Sequence, residues 1–393
     1  MSEHQYYEFQ AIDRRLDAAA QAALRKISSR GSITAHSFVN IYQWGDFKGD
    51  PRRLMEDWFD LFIYWANWGN RTLMLRVPRR YLDPKVLRPY RTENMVEAWT
   101  AGDFTIVSFD REPEESLDDF FGEEDEPTAA PFAALRAEVM RGDRRVFYLG
   151  WLIGVSEGHV KETALEPPCP PGLGSLSGAL EAFVDFFAID PDLLAAAADG
   201  SADAVPEAGE PSVESLRAVI EKLPDKDKTD FLCRAVLEND PNVRIDIGRR
   251  LVQATAGSSA SVTQHERPRR EVRDLLAGAA ARAEARERHH AKLKAAEQAS
   301  REKRAHRELS ERLDKLALRT EAAWQDVDEL IDRKQPNDYD RATALLKDLA
   351  HLADRNGERT AFDGRLGGIR ERHARKPRFL DRLKAAGLIG KPE

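Results

Sequence analysis

DPRRLMEDWFDLFIYWANWG, residues 50–69, decides how the first half of this chain is read. Asp50 followed by Pro51 is a strong helix start, because an Asp side chain accepts bonds from the orphan amides of a first turn and proline fits the first helical position. The spacing predicts a helix to about Trp68. Leu54, Met55, Trp58, Phe59, Leu61, Phe62, Ile63 and Trp65 would cover most of its circumference, leaving Arg53, Glu56, Asp57, Asp60 and Tyr64 as a narrow polar stripe. Such a helix belongs at the centre of a core, with Gly69 in the left-handed conformation that stops it.

Elements of both kinds flank this stretch. Tyr6 to Ile12 and Ile33 to Tyr42 read as strands, Asp13 as the cap of a helix bearing Leu16, Leu24 and Ile27, and Thr72 to Val77 as another strand. Glu97 to Thr100 and Phe104 to Phe109 form a hairpin across Ala101-Gly102-Asp103. Helical periodicity returns at Pro131 to Met140 and Val146 to Val155, and Ser175 opens a further helix after a proline-stiffened connector. The expected fold class is α+β: an N-terminal domain of sheet and helices over residues 1–198, followed by an all-α region.

The chain has 393 residues, of which 42% are apolar and 33% charged, with a net charge of −8. One hydrophobic core rarely serves that length, and so high a charge content marks segments that stand in solvent. Residues 111–127 are acidic almost throughout and read as an insertion. Residues 199–212 are Gly, Ala, Ser, Pro and acids and read as a linker. A small helical bundle is expected over 213–256, followed by a flexible stretch at Gly257 to Gln264. A long charged helix is expected within 265–334, of roughly 100 Å at 1.5 Å per residue. Its middle has no sustained heptad seam, since Leu293 is the only large apolar side chain between Ala281 and Glu308. A C-terminal helical segment fills 335–393. Met1 to Gln10 lacks the basic and apolar regions of a secretory leader and no long uncharged apolar run occurs, so a cytoplasmic protein outside the membrane is expected.

Chemistry-bearing residues are sparse. Cys169 and Cys233 are the only cysteines, which excludes a disulfide framework, and the histidines are scattered without ligand spacing, so no metal site is expected. PGLGSLSGAL, Pro171 to Leu180, has GxGxxxG spacing with no preceding strand and does not match a phosphate-binding loop. No catalytic residue and no cofactor emerge. The most site-like stretch is NIYQWGDFKGDP, Asn40 to Pro51. Asn40, Tyr42, Trp44, Asp46 and Lys48 there are candidates for contact with a ligand or partner, although the same residues also read as a turn capped by Asp50. The basic segment from Arg267 to Arg319 could neutralise phosphates, with Arg269, Arg270, Arg273, Arg282, Arg286, Lys292, Arg301 and Arg304 as the candidates. Its interleaved acids equally describe a self-supporting solvated helix.

Several stretches resemble a bacterial family of conserved hypothetical proteins. They are QYYEFQAIDR (Gln5 to Arg14), SFVNIYQWGDFKGDP (Ser37 to Pro51), YWANWGNRTLMLRVPRR (Tyr64 to Arg80), FYLGWL (Phe147 to Leu152), EPPCPPGLG (Glu166 to Gly174) and RERHARKPRFLDRLKAAGL (Arg370 to Leu388). Such proteins resemble neighbours of genes for SWIM-type zinc-finger proteins, which implies a nucleic-acid-linked partner and assigns no catalytic residue. The expectation is a non-enzymatic interaction or adaptor protein. The alternative is a nucleic-acid-binding protein using the basic helix. An enzyme would need ionisable groups converging on a cleft around Trp44, Asp46 and Lys48.

Overall fold

The computed structural model describes residues 4–113, 127–202, 213–238, 240–256 and 269–389. Nearly all of the expected acidic insertion, most of the expected linker and the stretch 257–264 lie outside the described residues. The chain divides into two compact units, residues 1–285 and 286–393.

The first unit is built on seven antiparallel strands: β1 (Gln5–Gln10), β2 (Ser32–Ile33), β3 (Ser37–Tyr42), β4 (Leu61–Ala66), β5 (Arg71–Pro78), β6 (Val96–Ala101) and β7 (Phe104–Arg111). Their order across the sheet is β2-β3-β1-β4-β5-β7-β6. Between β1 and β2 runs α1 (Ala18–Ile27), and between β3 and β4 runs α2 (Pro51–Asp57).

The 50–69 stretch departs from the expected single helix. Asp50 does cap α2, accepting from the amides of Arg52 and Arg53, but the helix stops at Trp58 and residues 61–66 form a central strand paired to both β1 and β5. LFIYWA is aliphatic or aromatic at every position. A six-residue run of that kind has no period to separate a buried helix turn from a strand that is covered on both faces. The pleat then sends Leu61, Ile63 and Trp65 to one core and Phe62 to the other. Gly69, at φ +105°, makes the β4–β5 turn instead of ending a helix. Two caps also move: Asp17, not Asp13, caps α1, and Ser177, not Ser175, caps the helix beyond the prolines.

One face of the sheet is covered by α1 and α2 over Phe9, Phe38, Phe59, Phe62 and Met74. The other carries α3 (Ala130–Arg141), α4 (Arg145–Ser156), α5 (Gly178–Phe186) and α6 (Pro191–Ala198). α4 is buried on every side, and Gly150 permits its close approach, since a Cβ there would stand 2.5 Å from Phe109 Cδ1. Three further helices, α7 (Val213–Lys222), α8 (Asp225–Val236) and α9 (Val243–Ala256), follow, with α9 against α3.

Where the sequence suggests one helix over 265–334, the chain forms α10 (Val272–Ala317) and α11 (Thr320–Asp332). No proline or glycine marks the break. The Thr320 hydroxyl donates to the carbonyls of Leu316 and Ala317 at 3.4 and 3.2 Å, groups that an unbroken helix would have bonded. The first turns of α10 contribute Val272, Leu275 and Ala279 to the first core, and the side chains from Glu284 to Glu308 are exposed. In the second unit, Leu313 and Leu316 join a core with α11, α12 (Pro336–Asn356), α13 (Arg359–Arg372) and α14 (Pro377–Ala385), in which α12 packs on α11, α13 and α14.

Candidate functional site

Asn40 and Tyr42 leave β3 on the sheet face that α1 and α2 cover only at one end. In register across the strands stand Asn40, Tyr7, Tyr64, Thr72 and Asp110, one residue from each of β3, β1, β4, β5 and β7. The loop after β3 is tied over this row. Gln5 donates from Nε2 to the Gly45 carbonyl at 3.1 Å and accepts the Tyr7 hydroxyl at 2.7 Å, while Phe47 stacks on Tyr7 at 5.0 Å. Asn40 is 3% exposed and its Nδ2 has no acceptor among the described residues. Trp44 is 70% exposed with the Arg30 guanidinium 5.5 Å from its ring, and Asp46 and Lys48 are exposed as well. The structure therefore seats Asn40 and Tyr42 among the tyrosines and leaves Trp44, Asp46 and Lys48 on the rim.

Electrostatics in the row favour protonated groups. Burial, reinforced by the Tyr64 neighbour, raises the Tyr7 phenol, and burial pushes Tyr64 up to about 12. Burial also pushes the Asp110 carboxyl up to about 6, against hydrogen bonds from Ser108 at 2.5 Å and Thr72 at 2.8 Å that favour its charged form. A carboxyl raised in the fold takes up its proton more readily there than in the unfolded chain. Its stabilising contribution is complete below the unfolded value of 3.8 and is lost as pH rises through about 6. Asp110→Asn is accordingly expected to flatten the pH dependence of stability between these values and to raise stability at pH 8, by roughly 1–3 kcal/mol. Urea denaturation at pH 4.5 and pH 8 checks this, and an equal effect of the substitution at both would refute it. Tyr7, Tyr64, Thr72 and Asp110 were invisible to motif reading, because only strand register aligns them.

The basic candidates are placed very differently from one another. Arg269 and Arg270 precede α10 and are both tied to Glu166: the exposed Arg269 donates to its carbonyl, and the half-buried Arg270 forks onto its carboxylate at 2.8 and 2.9 Å. Arg273 pairs with Glu271 at 2.8 Å and Arg282 with Asp199. Arg301 and Arg304 pair one turn away, with Glu297 at 3.1 Å and Glu308 at 2.9 Å. Lys292 is exposed on α10, and Arg286 too is partnered. Most of these cations thus have carboxylates in contact.

The third assembly lies on α7 and α8. Phe231 is the buried residue of α8, held between the guanidinium groups of Arg234 and Arg250 at 5.5 and 5.0 Å from its ring. Ion pairs do the rest: Arg234 bridges Asp240 at 2.6 Å and Asp246 at 2.5 Å, and Arg250 meets Asp227 at 2.5 Å. α8 is therefore fixed by charges and one aromatic ring, and its aliphatic residues face out. Val213, Leu232, Val236 and Leu237 are 74, 64, 68 and 75% exposed. On α7, which packs against α9, Val213, Leu216 and Ile220, at helical spacing, line an open groove of about 410 Å³ with Arg217, Glu221 and Arg244 of α9 on its margin. Sequence periodicity marked Leu216 and Ile220 as bundle interior, and nothing local distinguishes an interior stripe from an open one.

No group of three or more His, Cys, Asp or Glu among the described residues could hold a metal ion, and no described helix is long and apolar enough to cross a membrane. No protein-family model, curated protein or solved structure matches this chain.

Proposed function

We propose that this protein is a non-enzymatic adaptor that holds a partner protein on the aliphatic face of α7 and α8, and that the partner is of the SWIM zinc-finger kind. The observation that carries the reading is the open groove along Val213, Leu216 and Ile220 of α7, together with the exposed aliphatic side chains Leu232 and Val236 of α8 and Leu237 just after it. Single exposed apolar residues are ordinary on any surface, whereas contiguous ones at helical spacing mark a contact. The groove along Val213, Leu216 and Ile220 suits an amphipathic helix that inserts its own aliphatic anchors, with Arg217, Glu221 and Arg244 able to pair charges at its edges. The resemblance stated above is what points to a SWIM-type partner. The ion pairs of the charged helix give the nucleic-acid reading less to work with, since a phosphate contact at Arg301 or Arg304 would displace a carboxylate already in place.

The test uses the full chain carrying Ile220→Asp and Leu232→Asp, titrated against a purified SWIM-type zinc-finger protein. Both positions are exposed, so the melting curve should be unchanged. Affinity should fall at least about tenfold, corresponding to about 1.4 kcal/mol. Undiminished binding by the double variant overturns the proposal, as does binding that only changes at Trp44 remove.

A further inference from the structure

The second unit contains a cationic pocket that the adaptor reading does not use. It is an open cavity of about 480 Å³ lined by Lys334, Pro336, Tyr339, Arg375, Lys376, Pro377 and Arg378. Two chain connections meet there. Lys334 and Pro336 lie where α11 passes into α12, and Arg375 to Arg378 lie where α13 passes into α14. The second connection belongs to RERHARKPRF, a stretch whose density of cations the α7–α8 surface leaves unexplained.

Cations outnumber the carboxylates that reach this pocket. Lys376 is engaged, donating from Nζ to the Ile331 carbonyl and to Asp332, each at 3.0 Å. Lys334, Arg375 and Arg378 are exposed and form no salt bridge or side-chain hydrogen bond among the described residues, although the charge of Lys334 also acts through space on the Asp332 carboxylate that Lys376 holds. That contrasts with α10 and α13, where Arg301, Arg304, Arg307, Arg359 and Arg365 each have a carboxylate within reach. The nearest acid at the start of α12, Asp338, is itself paired with Arg341 at 3.6 Å. Lys334 also holds a left-handed backbone at φ +57°, unusual for a residue with a side chain. Tyr339 is buried against Phe379 at 5.7 Å, so it presents no open ring on which a base could stack.

We infer that this pocket binds a phosphate group, held by Lys334, Arg375 and Arg378 around the fixed ammonium of Lys376. Guanidinium forks match phosphate oxygens in bidentate geometry, and clustered unpaired cations at the mouth of a cavity raise the local concentration of anions. The lining presents no open aromatic face on which a base could stack, so the group recognised is the phosphate itself, on a small phosphorylated compound or along a polynucleotide backbone.

The experiment titrates the full chain with inorganic pyrophosphate by calorimetry, and with a short fluorescein-labelled single-stranded oligonucleotide by anisotropy over a range of salt. Wild type is compared with Lys334→Gly/Arg375→Ala/Arg378→Ala, in which glycine also suits the left-handed backbone, and with Lys292→Ala as a charge control outside the pocket. The expected result is saturable pyrophosphate binding weakened at least tenfold in the triple variant and unchanged in the control. If the oligonucleotide loses affinity in parallel, with its salt slope flattened by about 2, the phosphate belongs to a polynucleotide. If only pyrophosphate is lost, the ligand is small. Wild type without saturable pyrophosphate binding, or a triple variant that binds as wild type does, overturns the inference.

Discussion

Asp60→Ala should lower the stability of the first unit by about 3–5 kcal/mol, the range for breaking a buried ion pair from one side. Asp60 and Arg76 are 0 and 1% exposed at the side chain, and the carboxylate is a junction. It accepts the amides of Ile12 and Asp13 at 2.7 and 2.8 Å where the chain leaves β1, and the Nε and Nη2 of Arg76 at 3.2 and 2.9 Å on β5. Arg136 of α3 lies 3.6 Å from it and forks onto Asp13 at 3.0 and 2.6 Å. Removing the carboxylate leaves one guanidinium fully buried without its counter-charge and two amides without acceptors. The loss comes from groups left behind rather than from the pair itself. Urea denaturation followed by the fluorescence of Trp65 and Trp151 measures it. The exposed pair Arg52–Glu97, at 2.7 Å with side chains 49 and 43% exposed, supplies the contrast: Glu97→Ala should change stability by under about 1 kcal/mol. Equal effects at the two sites would show that burial is not what makes Asp60 matter.

Arg270→Ala is the second large effect, with an expected cost of about 3 kcal/mol. Glu166, 5% exposed at its side chain, receives the Tyr148 hydroxyl and both arms of the Arg270 fork. The same guanidinium donates to the carbonyls of Ala196 and Ala197 at 2.8 and 3.3 Å, closing the last turn of α6. Burial and the adjacent carboxylate raise the Tyr148 phenol, which stays a donor throughout the working range of pH. Arg270 therefore ties the segment entering α10 to the proline-rich connector and to α6, helped by the bond that the Glu166 amide donates to the Arg270 carbonyl at 2.9 Å. Arg270→Lys keeps the charge but loses the fork, and should recover only part of the stability. A phosphate-binding arginine would behave in the opposite way. Loss of oligonucleotide affinity with an unchanged melting curve would show that Arg270 faces a ligand and not Glu166.

Both residues show how far local reading goes. Arg270 was legible as one cation in a basic run, and Asp60 as one position on the polar stripe of a supposed helix. Neither reading contains the partner, which lies at Glu166 for the first and at Arg76, Ile12 and Asp13 for the second. The candidate sites follow the same rule. Asn40 and Tyr42 were singled out from their loop, yet the tyrosines and Asp110 beside them come from three other strands. Lys334 and Arg375 share a cavity although some forty positions separate them in the chain. The apolar residues of α7 and α8 have the spacing of a bundle interior, and only the folded chain leaves them uncovered.

What the sequence determined by itself was local: the Asp50-Pro51 helix start, the hairpin across Ala101-Gly102-Asp103, the α+β division, and a charged helix whose middle is solvated. Capping, turn chemistry and periodicity act over a few residues and are written wherever those residues stand. Tertiary structure alone decided that residues 61–66 are a strand, that Asp60 is a buried junction and that Arg270 points inward. An all-apolar run satisfies helix and strand equally, and a charge has no fixed role until distant parts of the chain close around it. Contacts of long sequence separation settle both.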